Sequence, residues 1–425
     1  MKPLLFISCP IETMSGYGAR SRDIVKALLK HDKYDIKILS QRWGNTAHNA
    51  LDLNNPEDKQ LLDLIWKQPQ LPQQPDVWIQ ITVPNEFQPV GKYNIGITAG
   101  IETTICDPSW IEGLNRMNLN LVSSKHAKIV FESSKFEKRN NQTNQVEGVI
   151  ELTAPIEVLF EGVDLNKYNF ISTDLLKGDL VESLDEIKED FNFLFVGHWL
   201  QGQIGEDRKN VGYMIKAFLE TFKNKSQQPG LILKTSQMTN SIMDREEILK
   251  KIDAIKQTVK GNLPNIYLLH GDLEDKDIND LYNHPKVKAM VSLTKGEGFG
   301  RPLLEFSLSK KPIIASNWSG HLDFLHSDYN VLVNGLLTNV HQSAQAQNMI
   351  LAESQWFTPN DAEVAKAFKN VYSDYKKYNE LGKRQAHYSK TNFSFDKMAE
   401  MLDNILESKI IKKVELKLPK LNKIQ

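Results

Sequence analysis

Short apolar runs alternate with amphipathic stretches along most of the chain. In the N-terminal part the runs Leu4–Ser8, Tyr34–Leu39, Val77–Ile81, Tyr93–Ala99, Leu119–Ser123 and Glu157–Phe160 predict strands. Apolar positions at helical spacing over Ala19–Lys30 and Lys125–Phe131 predict helices between them. Lys138–Glu147 reads as a polar loop insertion. A polar, acidic stretch, 166–190, then interrupts the pattern and reads as an interdomain connection. A second alternation follows, with strands over Phe193–Gly197, Leu231–Thr235, Ile266–Gly271, Val287–Leu293, Pro312–Ser316 and Asn330–Val333. Its helices are expected over Val211–Phe222, Asp244–Val259, near Ile278–Tyr282 and over Pro302–Leu308. Helical patterns over Asp361–Tyr375, near Tyr378–Ser389 and over Phe395–Ser408 close the chain. Continuous apolar strands between helices predict parallel sheets covered on both faces. The expected fold class is therefore α/β, with two doubly wound lobes, 1–165 and 191–390, and a cleft between the carboxyl ends of their strands. Residues 391–425 form a last helix and a tail.

Length and composition narrow the function classes. A chain of 425 residues is too long for one ordinary core. A formal net charge of −1 gives no global pull toward nucleic acid or anionic membrane. Cys9 and Cys106, the only cysteines, exclude a disulfide framework and fit a reducing, cytoplasmic compartment. No apolar run is long enough to span a bilayer. The start, Met1–Ser8, has too short an apolar run for a signal peptide and ends without a small-residue cleavage site.

The most specific stretch is Glu297-Gly298-Phe299-Gly300-Arg301-Pro302-Leu303-Leu304-Glu305. Its glycines let backbone N–H groups approach a ligand. The helix start that follows adds free donors suited to phosphate. One carboxylate before the turn and one after it can hold two hydroxyl-rich groups on either side of a diphosphate, the layout needed to grip a nucleotide-sugar.

This string, followed by Lys311-Pro312-Ile313-Ile314-Ala315-Ser316, resembles the group-one (family four) retaining glycosyltransferases. Further matches come in order: Ser15-Gly16-Tyr17-Gly18 after the first strand, and Gly148–Asp164 ending in Glu161-Gly162-Val163-Asp164, with Glu161 where Asn is commoner. Phe195-Val196-Gly197, Arg208-Lys209-Asn210 and Ala217-Phe218 follow. The resemblance implies the GT-B architecture of two facing Rossmann-like lobes, with the donor on the C-terminal lobe, the acceptor on the N-terminal one and the last helix returning to the N-terminal lobe. It implies transfer of a sugar from a nucleoside-diphosphate donor to an acceptor hydroxyl with retention, and with no metal or cofactor. By resemblance Glu297 binds hydroxyls of the donor sugar, and Gly298, Phe299 and Gly300 offer N–H groups to sugar and diphosphate. Glu305 accepts from the ribose hydroxyls and Lys209 meets the diphosphate. Many members carry an Arg directly after the Val-Gly of the opening strand; here His198 stands there, so Arg208 supplies the second cation or the site has one only.

Other residues are less specific. Gly16-Tyr17-Gly18 reads as a loop touching phosphate or acceptor, or as a plain strand-to-helix turn. A nicotinamide site is disfavoured because Ser21 stands where the third glycine would be. Glu102, in Gly100-Ile101-Glu102-Thr103-Thr104 at the cleft edge, is a candidate to take the acceptor's proton or is a surface carboxylate. His270-Gly271-Asp272-Leu273 lies where the family holds the base, and Gly320 would let backbone approach the nucleotide. Asp275-Lys276-Asp277 imitates a metal-binding motif but is better read as carboxylates at a helix start. The lysine-rich tail Lys409–Gln425 suits a peripheral contact at the inner membrane face or with nucleic acid, or is a solvated terminus. Donor, acceptor and oligomeric state are not readable; the acceptor classes left open are a glycan, a lipid-linked sugar, a protein or a modified base. Two rivals share the fold: a nucleotide-sugar epimerase and a silent nucleotide-sugar-binding module.

Overall fold

The computed structural model describes residues 2–140, 142–237 and 240–410. The N-terminal lobe is a parallel sheet of β1 (Leu4–Cys9), β2 (Asp35–Ser40), β3 (Val77–Ile81), β4 (Tyr93–Thr98), β5 (Leu119–Val122) and, after a hairpin of β6 (Phe136–Arg139) and β7 (Val146–Ile150), β8 (Ile156–Val158). Its order is β2-β1-β3-β4-β5-β8. Helices α1 (Gly16–His31), α2 (Pro56–Asp63), α3 (Pro108–Asn115) and α4 (Lys125–Ser133) fill the crossovers. Every residue of β1 is buried, which is why its sequence is a continuous apolar run rather than an alternation.

The C-terminal lobe repeats the plan. After α5 (Asp179–Asp185) come β9 (Asn192–Val196), α6 (Val211–Phe222), β10 (Gly230–Lys234), α7 (Ile242–Gln257), β11 (Ile266–Leu269), α8 (Asp275–Asn283) and β12 (Val287–Ser292). Then follow α9 (Arg301–Ser307), β13 (Ile313–Ser316) and β14 (Val331–Val333), giving a parallel sheet ordered β11-β10-β9-β12-β13-β14. On α6, Val211, Met214, Ile215, Phe218, Leu219 and Phe222 are buried, one face at helical spacing. Phe218, Phe222 and Phe368 surround Phe193 of β9, the closest ring, Phe368, at 5.0 Å. The order reverses between β9 and β12, so the loops after these two strands open a crevice at their carboxyl ends.

Three segments differ from the sequence reading. The polar insertion 138–147 is the end of the β6–β7 antiparallel hairpin, whose strands are largely exposed and so carry no apolar alternation. The acidic stretch 166–190, read as the interdomain connection, contains α5, which was not anticipated, and buries Tyr168, Leu184 and Ile187 against the core of the C-terminal lobe. An antiparallel pair, β15 (Gly335–Asn339) and β16 (Gln355–Pro359), was not anticipated.

The chain ends in α10 (Asp361–Ser373), α11 (Tyr375–Asn392) and α12 (Phe395–Lys409). The last of these leaves the C-terminal lobe: Met398, Ala399, Leu402 and Leu406 bury into the N-terminal core against α1. Ion pairs Lys30–Asp396 and Lys33–Asp403 flank that contact. The tail lies outside the described residues except for Lys409, which pairs with Glu157, and Ile410. Among the described residues no helix is long and apolar enough to cross a membrane.

Candidate active site

The loops after β9 and β12 are laced together. Lys295 N–H donates to the Arg208 carbonyl at 2.7 Å, and the Asn210 side chain donates to Leu293 O at 3.1 Å. This sets Arg208 and Lys209 against Glu297. Lys209 Nζ lies 2.6 and 2.8 Å from the two Glu297 oxygens, and Arg208 Nη1 lies 3.4 Å from Oε2. The Glu297 side chain is only 9% exposed. Burial alone would raise its carboxyl, but the charges of Lys209 and Arg208 outweigh it and hold the group at about 2. For Lys209 the balance runs the other way: burial lowers its ammonium, and Glu297 restores only part because Arg208 repels it.

The glycine turn is fixed from behind. Glu297 N–H donates to Ser319 Oγ at 2.9 Å and Gly320 N–H to the Glu297 carbonyl at 2.9 Å. Gly320 also packs on protein backbone: a Cβ there would lie 2.7 Å from the Glu297 carbonyl oxygen. The Phe299 side chain is buried beside Phe324, their ring centroids 5.0 Å apart. Gly300 has φ +96, a left-handed conformation that suits glycine and turns the chain into α9. Among the described residues no protein acceptor takes the N–H groups of Gly298, Phe299, Gly300 or Arg301. Glu305, one turn into α9, is buried and accepts from Arg301 Nε at 3.0 Å. Burial raises its carboxyl to about 7 against the pull of Arg301.

The N-terminal lobe closes on this cluster. Glu102 Oε1 is 3.2 Å from Arg208 Nη1. A Cβ on Gly298 would meet the Ala99 carbonyl oxygen at 2.7 Å, so the backbones of the two lobes are in contact there. Ser15 caps α1 by accepting from Gly18 N at 2.9 Å, while Gly16 faces open space. Tyr17 reaches across to the end of β4, its hydroxyl 2.9 Å from Thr98 Oγ1 and 3.2 Å from Ala99 N, and its ring stacks on Trp43. His198 follows β9 with Nδ1 3.2 Å from Ser236 Oγ. Leu273 is half-buried in the turn between β11 and α8, where Lys234 Nζ binds Gly271 O at 2.6 Å. Asp275 opens α8 and accepts from Lys167 and Tyr168.

Lys209, Arg208, Glu297, Glu102 and the Gly298–Gly300 turn therefore converge, and Glu305 shares α9 with that turn. Sequence reading gave no role to Arg301. Its Nη1 reaches Asp23 of α1 at 2.6 Å and Glu161 at 3.8 Å, while its Nε holds Glu305. The i,i+4 spacing of Arg301 and Glu305 signalled their pair; nothing in the sequence signalled Asp23. Buried His321, beside Gly300, was likewise passed over; its Nε2 meets Ser316 O at 2.7 Å.

Comparison with known proteins fits this geometry. Residues 193–387, the C-terminal lobe, match the model of the family described as glycosyl transferases group 1. The fold is that of the GT-B glycosyltransferases. HepE of Anabaena, solved in complex with UDP and glucose, is 15% identical with a TM-score of 0.61, over 96% of this chain and 100% of that one. Sucrose-phosphate synthase from Thermosynechococcus elongatus is 12% identical with a TM-score of 0.63, over 96% and 99%. A glycosyltransferase from Rickettsia africae is 14% identical with a TM-score of 0.62, over 97% and 100%. No curated protein matches the chain by sequence.

Proposed function

We propose that the protein is a retaining glycosyltransferase that moves a hexose from a nucleoside diphosphate to an acceptor hydroxyl. The observation that carries this is the meeting of Lys209, Arg208 and Glu297 with a turn whose N–H groups have no protein acceptor. A departing nucleoside diphosphate gains negative charge as the glycosidic bond breaks. Two fixed cations and a row of N–H donors stabilise that charge without requiring a divalent ion. Glu297, ionised at neutral pH, would accept from hydroxyls of the donor sugar, and Glu305 from those of the ribose. Glu102 would receive the acceptor's proton, because it is the N-terminal-lobe carboxylate that reaches the cluster. The closed lobes would exclude water and protect the donor from hydrolysis. Retention and the place of the acceptor on the N-terminal lobe are supported by the family resemblance. Since HepE was solved with UDP and glucose, UDP-glucose is the first donor to try.

The test is release of nucleoside diphosphate from a matched donor. Acceptor-dependent release, lost in Lys209→Met, is the expected result. Interconversion of the donor sugar without any release would instead mark an epimerase, and binding without either reaction a silent module.

A further inference from the structure

Arg208 is claimed from both sides of the cleft. Its Nη1 meets the Gly296 carbonyl at 2.9 Å, Glu102 Oε1 at 3.2 Å and Glu297 Oε2 at 3.4 Å. Of these acceptors only Glu102 comes from the N-terminal lobe. Two cations, Arg208 and Lys209, here face two carboxylates, Glu102 and Glu297, so the cluster as it stands offers an incoming diphosphate no net positive charge. Glu297 is buried and held by both cations, whereas Glu102 retains 26% side-chain exposure and, among the described residues, forms an ion pair with Arg208 alone. The group most easily displaced from the guanidinium is therefore Glu102.

We infer that Glu102 stands in for a phosphate on Arg208 when the donor is absent, and that diphosphate binding releases its carboxylate into the cleft. The inference rests on the proposed donor role of Arg208 and adds an order to it. At 3.2 Å from Arg208 the Glu102 carboxylate is engaged by the guanidinium rather than by an acceptor hydroxyl. Displaced by a phosphate, it is free to meet that hydroxyl only once the donor is in place. The acceptor hydroxyl is then deprotonated at Glu102 as its oxygen bonds to the sugar carbon and the bond to the diphosphate breaks. The proton rests on Glu102 and the electron pair leaves with the diphosphate. Glu102 so acts twice: as an internal competitor of the donor, and afterwards as its partner in catalysis.

The two roles predict opposite effects of one substitution. Glu102→Gln keeps the shape and removes the charge. It should bind nucleoside diphosphates about tenfold more tightly than the wild type while turning over far more slowly. Titration calorimetry with UDP, GDP and ADP, and with inorganic pyrophosphate, reads the affinity. Glu102→Ser, which removes the carboxylate altogether, should behave the same way. Asp323→Ala is the control. Asp323 ties the lobes by accepting from the Lys125 N–H at 2.8 Å but makes no ion pair with Arg208, so removing that acceptor should leave diphosphate affinity unchanged. Tighter binding in both Glu102 variants and not in Asp323→Ala supports the inference. Equal or weaker binding in Glu102→Gln overturns it while leaving the proposed function standing. An equal gain in Asp323→Ala would also overturn it, since lobe loosening would then be the cause. Failure of the wild type to bind any diphosphate would remove the functional reading itself, and the inference with it.

Discussion

Replacing Gly296 by alanine should pry the lobes apart at the site. The residue lies between Lys295 and Glu297, and a Cβ there would overlap the carbonyl oxygen of Glu102 in the opposite lobe. The clash is with backbone, so no side-chain rotation relieves it. Ordinary contact begins at 3.4 Å, and the shortfall exceeds an ångström. The facing loops must separate by about that much, because packed interiors yield little. The Glu102–Arg208 pair, now at 3.2 Å, would then open beyond 4 Å. Misplacing reacting groups by about 1 Å costs on the order of 10²-fold in rate, so kcat should fall by about that factor. Lys209, Arg208 and the Gly298–Gly300 turn stay together on the C-terminal lobe, so with Glu102 drawn away from Arg208 they should hold a diphosphate at least as tightly as before. Gly298→Ala offers a graded comparison: its Cβ would lie 2.7 Å from Ala99 O, a shortfall about half as large, with a smaller loss expected. Turnover, diphosphate affinity and small-angle scattering of each variant provide the assay. A Gly296→Ala protein with wild-type turnover would refute the interlobe contact on which this reasoning depends.

Three other outcomes follow from the site. Burial raises the Glu305 carboxyl from an ordinary 4.5 to about 7, so the folded chain keeps a proton there that the unfolded chain has released. Rising pH between those values therefore works against the fold, while a donor ribose that needs the carboxylate should bind better as pH climbs through about 7. Binding of a sugar-diphosphate donor across that range should show this limb in the wild type and none in Glu305→Gln. Lys209→Met removes one of two cations on the leaving group and leaves Glu297 with only a 3.4 Å partner; a loss of about 10²–10³ in kcat/KM is expected in acceptor-dependent diphosphate release. Tyr17→Phe deletes the hydroxyl that joins Thr98 and Ala99, and urea unfolding should show about 1 kcal/mol less stability with the stack on Trp43 kept.

What the sequence disclosed follows from burial. Strands covered on both faces, such as β1 and β9, must be apolar throughout, and α6 must present one apolar face; these were readable at nearly their true limits. The β15–β16 pair escaped because its residues are partly exposed, with Leu336 at 76%, and its two strands are joined by a long segment, 340–354. The stretch 166–190 misled because its acidic composition hides the few residues, Tyr168, Leu184 and Ile187, that anchor it. Within the site, the turn and its carboxylates were legible as a local string. Of the partners from the other lobe, Glu102 was a candidate because it follows a strand, whereas Asp23 was not: Arg301 meets that residue 278 positions away, and no local pattern encodes it. The packing of Gly320 on the Glu297–Gly298 backbone was not legible either, because a lone glycine does not say which backbone comes close.

The central claim is that Lys209, Glu297 and Glu305 grip one small molecule together. A thermal-shift series with nucleoside diphosphates and their sugars, run on the wild type and on Lys209→Met, Glu297→Ala and Glu305→Ala, tests it most directly. At least one nucleotide-sugar should stabilise the wild type in a concentration-dependent way, with the shift weakened in all three variants. No shift with any of these compounds, or an undiminished shift in the three variants, would contradict it.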